Sequence, residues 1–217
     1  MPKSESKPIT LTFDNGPHPD FTPRVLDVLA QHAVKATFFV VGNRLAQSRA
    51  PAERAKAEGH WIGNHTWSHS HPFREKGDVE FVQAQIEDTQ AALGDLAHPD
   101  KLFRPYGGAG RLEGALNSTA ADHLAQGKYT CVLWNSVPGD FRDAEGWPDT
   151  AMKQIAEIDW PLVVLHDIHG DAMVRLDGFI GSLKDKGFVF RQNFPETTVA
   201  IRNGSPTPVL TQGVLAN

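Results

Sequence analysis

The chain has 217 residues, 40% hydrophobic and 22% charged, a balance that suits a protein with a sizeable buried core. Its 26 acidic and 21 basic side chains leave a net charge of −5, which disfavours nucleic acid or an anionic membrane surface as the main partner. No apolar run approaches the ~20 residues of a membrane span, and Cys131, the only cysteine, excludes an intrachain disulfide and a thiolate metal site.

The first residues, Met1 to Lys7, carry no apolar core of a secretory signal. The expectation is a cytoplasmic protein unless an export signal has been removed. Pro8 to Phe13 predicts a strand, which breaks at Asp14-Asn15-Gly16-Pro17. Phe21 to His32 has a helical apolar stripe of Val25, Leu26, Val28 and Leu29. Lys35 to Val41 is β-branched and aromatic, hence a buried strand closed by Gly42. Leu45 to Glu58 is Ala-rich and helical, and Trp61 to Gly63 is a very short strand leading into a histidine cluster. Asp78 to Leu93 predicts a helix stopped by Gly94. Lys101 to Arg104 is a short strand opening into the loop Pro105-Tyr106-Gly107-Gly108, and Gly114 to Leu124 a helix. Tyr129 to Trp134 is a strand holding Cys131 as a buried hydrophobe, followed by a long loop from Asn135 to Gly146. Pro148 to Ile158 is helical, Leu162 to Leu165 a strand, Ala172 to Lys184 a helix, and Phe188 to Phe190 a last strand.

Seven strand-then-helix units imply parallel strands joined by crossovers. A closed or nearly closed β/α barrel fits better than an open sheet, because chemically suggestive residues follow several different strands. No linker or internal repeat divides the chain. A single domain over residues 1–217 is expected, with 1–7 and about 196–217 as peripheral tails.

His65 and His69 stand at i and i+4, a spacing that on one turn of helix lets both imidazoles reach one metal ion. No Glu lies between them, which disfavours a zincin-type protease. Asp14 and Asn15 are the available donors of a third ligand and of a general base, although Asp-Asn-Gly-Pro is also ordinary turn chemistry. His166, Arg104 and Asp140 likewise end strands or follow them.

These residues carry a resemblance. Thr12-Phe13-Asp14-Asn15-Gly16-Pro17 resembles the first motif, T-F-D-D-G-P, of the NodB-type polysaccharide deacetylases, carbohydrate esterase family four. Ala36 to Gly42 is similar to that family's second strand, and His65-Thr66-Trp67-Ser68-His69 to its metal-binding H-[ST]-x-x-H motif. Leu102 to Gly107, Trp134 to Phe141 and Val164 to Asp167 resemble the third, fourth and fifth motifs, in the right order. The resemblance implies a distorted or partial (β/α)7 barrel that removes acetyl groups from N-acetylated or O-acetylated sugars. It implies a divalent metal, usually zinc, on His65, His69 and residue 15. It makes Asp14 the base, Arg104 its partner, and His166 the acid oriented by Asp140. The Tyr106 N–H would stabilise the oxyanion, and Trp134, Phe141 and Leu165 would line the acetyl pocket and sugar groove.

Three departures stand out: Asn15 replaces the family's usual metal-binding Asp, the third motif is one residue shorter between Arg104 and Pro105, and Val137 and Phe141 replace a frequent Asp and Trp. Two alternatives therefore accompany the deacetylase expectation: a weakened relative that binds acetylated carbohydrate, and an amidohydrolase on a small amide or ureide. The expected partner is acetylated carbohydrate, with no nucleic acid and no membrane segment.

Overall fold

The computed structural model describes residues 7–107, 110, 112–211 and 215. Gly108, residues 1–6 of the first expected tail and residues 212–214, 216 and 217 of the second lie outside the described residues. The chain begins with β1 (Lys7–Asp14), α1 (Phe21–Gln31) and β2 (Thr37–Val40). The single helix expected over Leu45 to Glu58 is two, α2 (Gly42–Gln47) and α3 (Ala50–Ala57), because Pro51 is accommodated only in a helix's first turn. Next come β3 (Trp61–Asn64), α4 (Val79–Gln83) and α5 (Thr89–Leu93), the two helices joined by a π-type turn over Ala84–Asp88. The Asp78 carboxylate caps α4 by accepting from the Phe81 N–H.

The second half runs β4 (Leu102–Phe103), α6 (Ser118–Gln126), β5 (Thr130–Val132), α7 (Trp147–Ile155) and β6 (Leu162–His166). The last expected helix is also two, α8 (Gly170–Met173) and α9 (Leu176–Asp185), followed by β7 (Phe188–Phe190). The segment after Pro195 corrects an expectation. It supplies β8 (Val199–Arg202), β9 (Ser205–Pro206) and α10 (Pro208–Thr211), and β8 pairs antiparallel with β5. Val199, Ala200 and Ile201 are fully buried, so these residues complete the core instead of trailing from it.

Strands β1 to β6 pair in parallel in the order β6-β1-β2-β3-β4-β5, and β7 pairs with the start of β1. The barrel does not close strand to strand. Between the loop after β5 and β6 there is one parallel bridge, Ser136 to Val163, made by the Ser136 N–H to the Leu162 carbonyl (3.2 Å) and the Val164 N–H to the Ser136 carbonyl (2.9 Å). This is the distorted, partial barrel that was expected.

Strand alternation sorts the core into two clusters. Ile9, Leu11, Phe13, Phe38, Val40, Val163 and Leu165 pack outward under α1, α7 and α9. Phe39, Leu162 and Val164 belong to a second cluster with β4, β5 and β8. The remaining face of β1 is polar and buried: Thr10, Thr12 and Asp14. Thr12 Oγ1 donates to the Val163 carbonyl at 3.0 Å, which lets a hydroxyl sit inside the sheet without penalty.

Candidate active site

The polar face of β1 is answered by one long cation. Arg104, just past β4, is fully buried, and its guanidinium donates to four oxygens. Nη1 reaches Asp14 Oδ1 at 2.8 Å and Thr12 Oγ1 at 2.7 Å. Nε and Nη2 reach the carbonyls of Val132 and Leu133, each at 3.1 Å, and the plane lies over the Phe39 ring at 4.0 Å. Burial works against the guanidinium charge, and Asp14 opposes that effect. The shorter third motif therefore does not displace Arg104 from Asp14.

Register brings the second titrating group alongside. Asp14 at the end of β1 pairs with His166 at the end of β6, so both side chains emerge on the same face at the same level. His166 Nδ1 donates to Asp140 Oδ1 and its backbone N–H to Asp140 Oδ2, both at 2.8 Å. Burial lowers the His166 pKa, but the bond to Asp140 and the charges of Asp140, Asp14 and Asp167 outweigh it, and the pKa is raised.

His65 and His69 do not lie on a helix, contrary to the spacing argument. Residues 65–70 form a loop in which Thr66 (φ 66°) and His69 (φ 51°) are left-handed, and the Asn64 amide oxygen accepts the Thr66 N–H. The two rings still come within 4.7 Å of each other. Part of the loop's support was not legible in sequence: the π-type turn presents the Ile86 carbonyl to Asn64 Nδ2 (2.8 Å) and Gln85 Oε1 to the Ser68 N–H (3.0 Å). Gln85 thus holds the loop between the two histidines.

The donor set suits a divalent cation. His65 Nδ1 sits 2.8 Å from the Arg104 carbonyl, which can only accept, so Nδ1 carries the proton and Nε2 keeps its lone pair. That Nε2 lies 3.6 Å from Asp14 Oδ2, two electron-rich atoms facing each other. Burial lowers the pKa of both histidines, His69 to about 2 with further repulsion from His65 and His166, which keeps them neutral as ligands must be. Asn15 (φ 76°) lines the same cavity, and its Oδ1 is buried without a hydrogen-bond partner. Among the described residues no group of three His, Cys, Asp or Glu is arranged to hold a metal. The candidate set is two imidazoles and an amide oxygen.

These groups line a cavity of about 320 Å³, walled also by Tyr106, Trp134 and Phe141. Tyr106 stacks 3.9 Å from the His69 ring, and Trp134 Nε1 donates to the Gly110 carbonyl at 3.0 Å. Leu165 corrects the expected lining: it is fully buried in the outer cluster, because alternation on β6 turns Val164 and His166 inward and Leu165 outward. Val164, Val137 and His169 line the cavity without having been anticipated, although period-two alternation would have pointed to Val164. Cys131 is buried, and burial pushes its thiol up to about 12, in keeping with a packing role.

The family model for polysaccharide deacetylase matches residues 2–132. A peptidoglycan-N-acetylglucosamine deacetylase of Listeria monocytogenes is 34% identical over 193 residues, 88% of this chain and 39% of that protein. The chain thus spans about two fifths of that relative's length. A peptidoglycan-N-acetylglucosamine deacetylase of Bacillus cereus is 30% identical over 199 residues, covering 88% of this chain and 87% of its own. Among solved structures, a family 4 acetyl xylan esterase from Clostridium thermocellum, in complex with a cobalt ion, has a TM-score of 0.72 at 30% identity, over 86% of this chain and 88% of that one.

Replacing Arg104 leaves a buried carboxylate and two carbonyls without their donor. Arg104→Met should cost about 3–5 kcal/mol in denaturant unfolding, and the double variant with Asp14→Asn should cost clearly less than the two single losses added together. Additive losses would mean that the pair is not coupled.

Proposed function

The chain belongs to the polysaccharide deacetylase family, and we propose that it hydrolyses the acetamide of an N-acetylated sugar to acetate and a free amine. The observation that carries this reading is the in-register pairing of Asp14 with His166, each braced from behind, by Arg104 and by Asp140 respectively. A carboxylate beside an imidazolium at one cavity wall can take a proton from water and give one to a leaving nitrogen in the same turnover.

Asp14 is the proposed base. Its Oδ1 is occupied by Arg104, which leaves Oδ2 to accept the proton of the attacking water. His166 is the proposed acid. Its Nδ1–H is committed to Asp140, so the proton that moves to the departing amine is the one on Nε2. The Tyr106 backbone N–H is the proposed oxyanion donor, with Trp134, Val164 and Phe141 enclosing the acetyl methyl and the sugar.

His65, His69 and Asn15 are the proposed holders of a divalent cation, and that cation would supply Lewis-acid charge to the acetyl carbonyl. Asn15 makes this chain a variant of its family's first motif: a neutral amide oxygen holds a cation less strongly than a carboxylate does. Imidazole donors favour zinc or cobalt among the common ions, in line with the cobalt bound by the Clostridium relative.

The direct test is acetate release from N-acetylglucosamine oligomers with added zinc or cobalt. Asp14→Asn should lower kcat by about 10²–10⁴-fold while the protein still folds; a wild-type protein that releases no acetate with any divalent ion would sink the reading.

The pH profile tests His166 separately. With its folded pKa raised above the ordinary 6.5, the acid form is present below that raised value and is lost as pH climbs through it. Activity should therefore fall on the alkaline side, and Asp140→Asn, by removing the charge that raises the pKa, should move that alkaline limb to lower pH. An unmoved limb would take His166 out of the acid role.

For Asn15, calorimetric zinc titration of Asn15→Asp should give tighter binding than the native chain. Equal affinities would mean that residue 15 is not a ligand.

A further inference from the structure

Asp167 directly follows His166, yet it lies outside the lining of the catalytic cavity. It is 1% exposed, and its Oδ1 is buried without a hydrogen-bond partner. A buried carboxylate with one idle oxygen is a poor choice for packing alone, because an apolar side chain of similar size carries no desolvation cost. Its surroundings point to another task. Thr22 Oγ1, in the first turn of α1, donates to Asp167 Oδ2 at 2.5 Å, and the His18 backbone N–H donates to Thr22 Oγ1 at 2.8 Å. The same carboxylate lies against Gly16, where a Cβ would fall 2.3 and 2.5 Å from its two oxygens.

We propose that Asp167, held by Thr22, is a positioning residue that fixes the turn at Gly16 and so aims the Asn15 amide oxygen into the cavity. The proposal rests on the reading of Asn15 as a cation ligand, but it concerns two side chains outside the donor set.

The support acts from behind the ligand. Gly16 is fixed on two sides: its carbonyl accepts the Val41 N–H at 2.9 Å, and the Asp167 carboxylate fills the place of its missing side chain. Residues 16–18 are therefore gripped at both ends, at Gly16 by contact with Asp167 and at His18 by the bond to Thr22. Asn15 stands immediately before this clamp, left-handed (φ 76°) and with no hydrogen bond on Oδ1 to orient it. A residue with a Cβ keeps that backbone only where its neighbours hold it. Register explains why the support comes from the end of β6. Asp14 pairs with His166, so the next residues, Asn15 and Asp167, leave the sheet together.

The test is calorimetric titration with zinc alone, in the absence of substrate. Thr22→Val keeps the side chain's shape and removes its hydroxyl, and Asp167→Ala removes the carboxylate. Each should weaken zinc binding by about 10–100-fold, the loss typical when a ligand's outer support is removed. Asp167→Asn, which keeps the bulk against Gly16 and an oxygen for Thr22, should stay within about threefold of the native affinity. Val25→Ala, one turn further along α1 and in the outer core, should lower the unfolding midpoint but leave zinc affinity within about twofold. Asn15→Gly permits the same backbone without the amide oxygen, and in that background Thr22→Val should change affinity by about twofold or less. The proposal is overturned, with the deacetylase reading left in place, by any of three results: native affinity in both Thr22→Val and Asp167→Ala, an equal loss in Asp167→Asn and Asp167→Ala, or an undiminished Thr22→Val loss beside Asn15→Gly. A native protein that binds no zinc overturns it together with the cation ligands assigned above.

Discussion

A single buried cation organises this molecule. Arg104 reaches across the inside of a partial barrel to Thr12 and Asp14 on β1, and to the carbonyls that follow β5, so it ties three strands together at the level where the cavity begins. A guanidinium can survive there because four of its five N–H groups meet an oxygen and Phe39 covers its face. The same bonds leave Asp14 with one oxygen bound and one facing the cavity. Fold and chemistry therefore share an interaction, and neither could relax without the other.

Around that tie, the site is made by loops rather than by regular elements. Asn15, Thr66 and His69 all take left-handed backbone conformations, which are unfavourable for residues with a Cβ and persist where surrounding contacts outweigh the cost. Those contacts can be named. Asn64 and Gln85 hold the histidine loop, the Gly42 and Asn43 N–H groups donate to the carbonyls of Thr66 and Trp67, and the Val41 N–H donates to the carbonyl of Gly16. The π-type turn between α4 and α5 fits this pattern, because a widened helical turn frees a carbonyl for Asn64 at the point where the loop needs it.

Asn15 sets the electrostatics of the proposed donor set. With a carboxylate in its place, the cavity would carry two anionic side chains beside two neutral imidazoles; with an amide it carries Asp14 alone. Asn15 Oδ1 is buried without a hydrogen-bond partner, at a position where this chain departs from the motif it resembles.

Much of this was legible in the chain itself. Strand and helix order followed from apolar periodicity, and Asp14, His65, His69, Arg104, Asp140 and His166 stood out because each lies at or just beyond a strand-like run. Their types and order also sufficed for the family resemblance. Other features depended on contacts between segments far apart in sequence. The i,i+4 histidines suggested a helix, but Asn64, Gln85 and two left-handed residues made a loop. Leu165 belonged to a motif, yet strand alternation turned it into the outer core. The stretch after Pro195 was expected as a peripheral tail, yet Val199 and Ile201 complete the sheet against β5. Local sequence thus determined which residues are candidates for chemistry and which segments form strands or helices. Tertiary structure decided which way each side chain faces and what stands opposite it, because strand register and buried hydrogen bonds are satisfied only when the whole barrel is assembled.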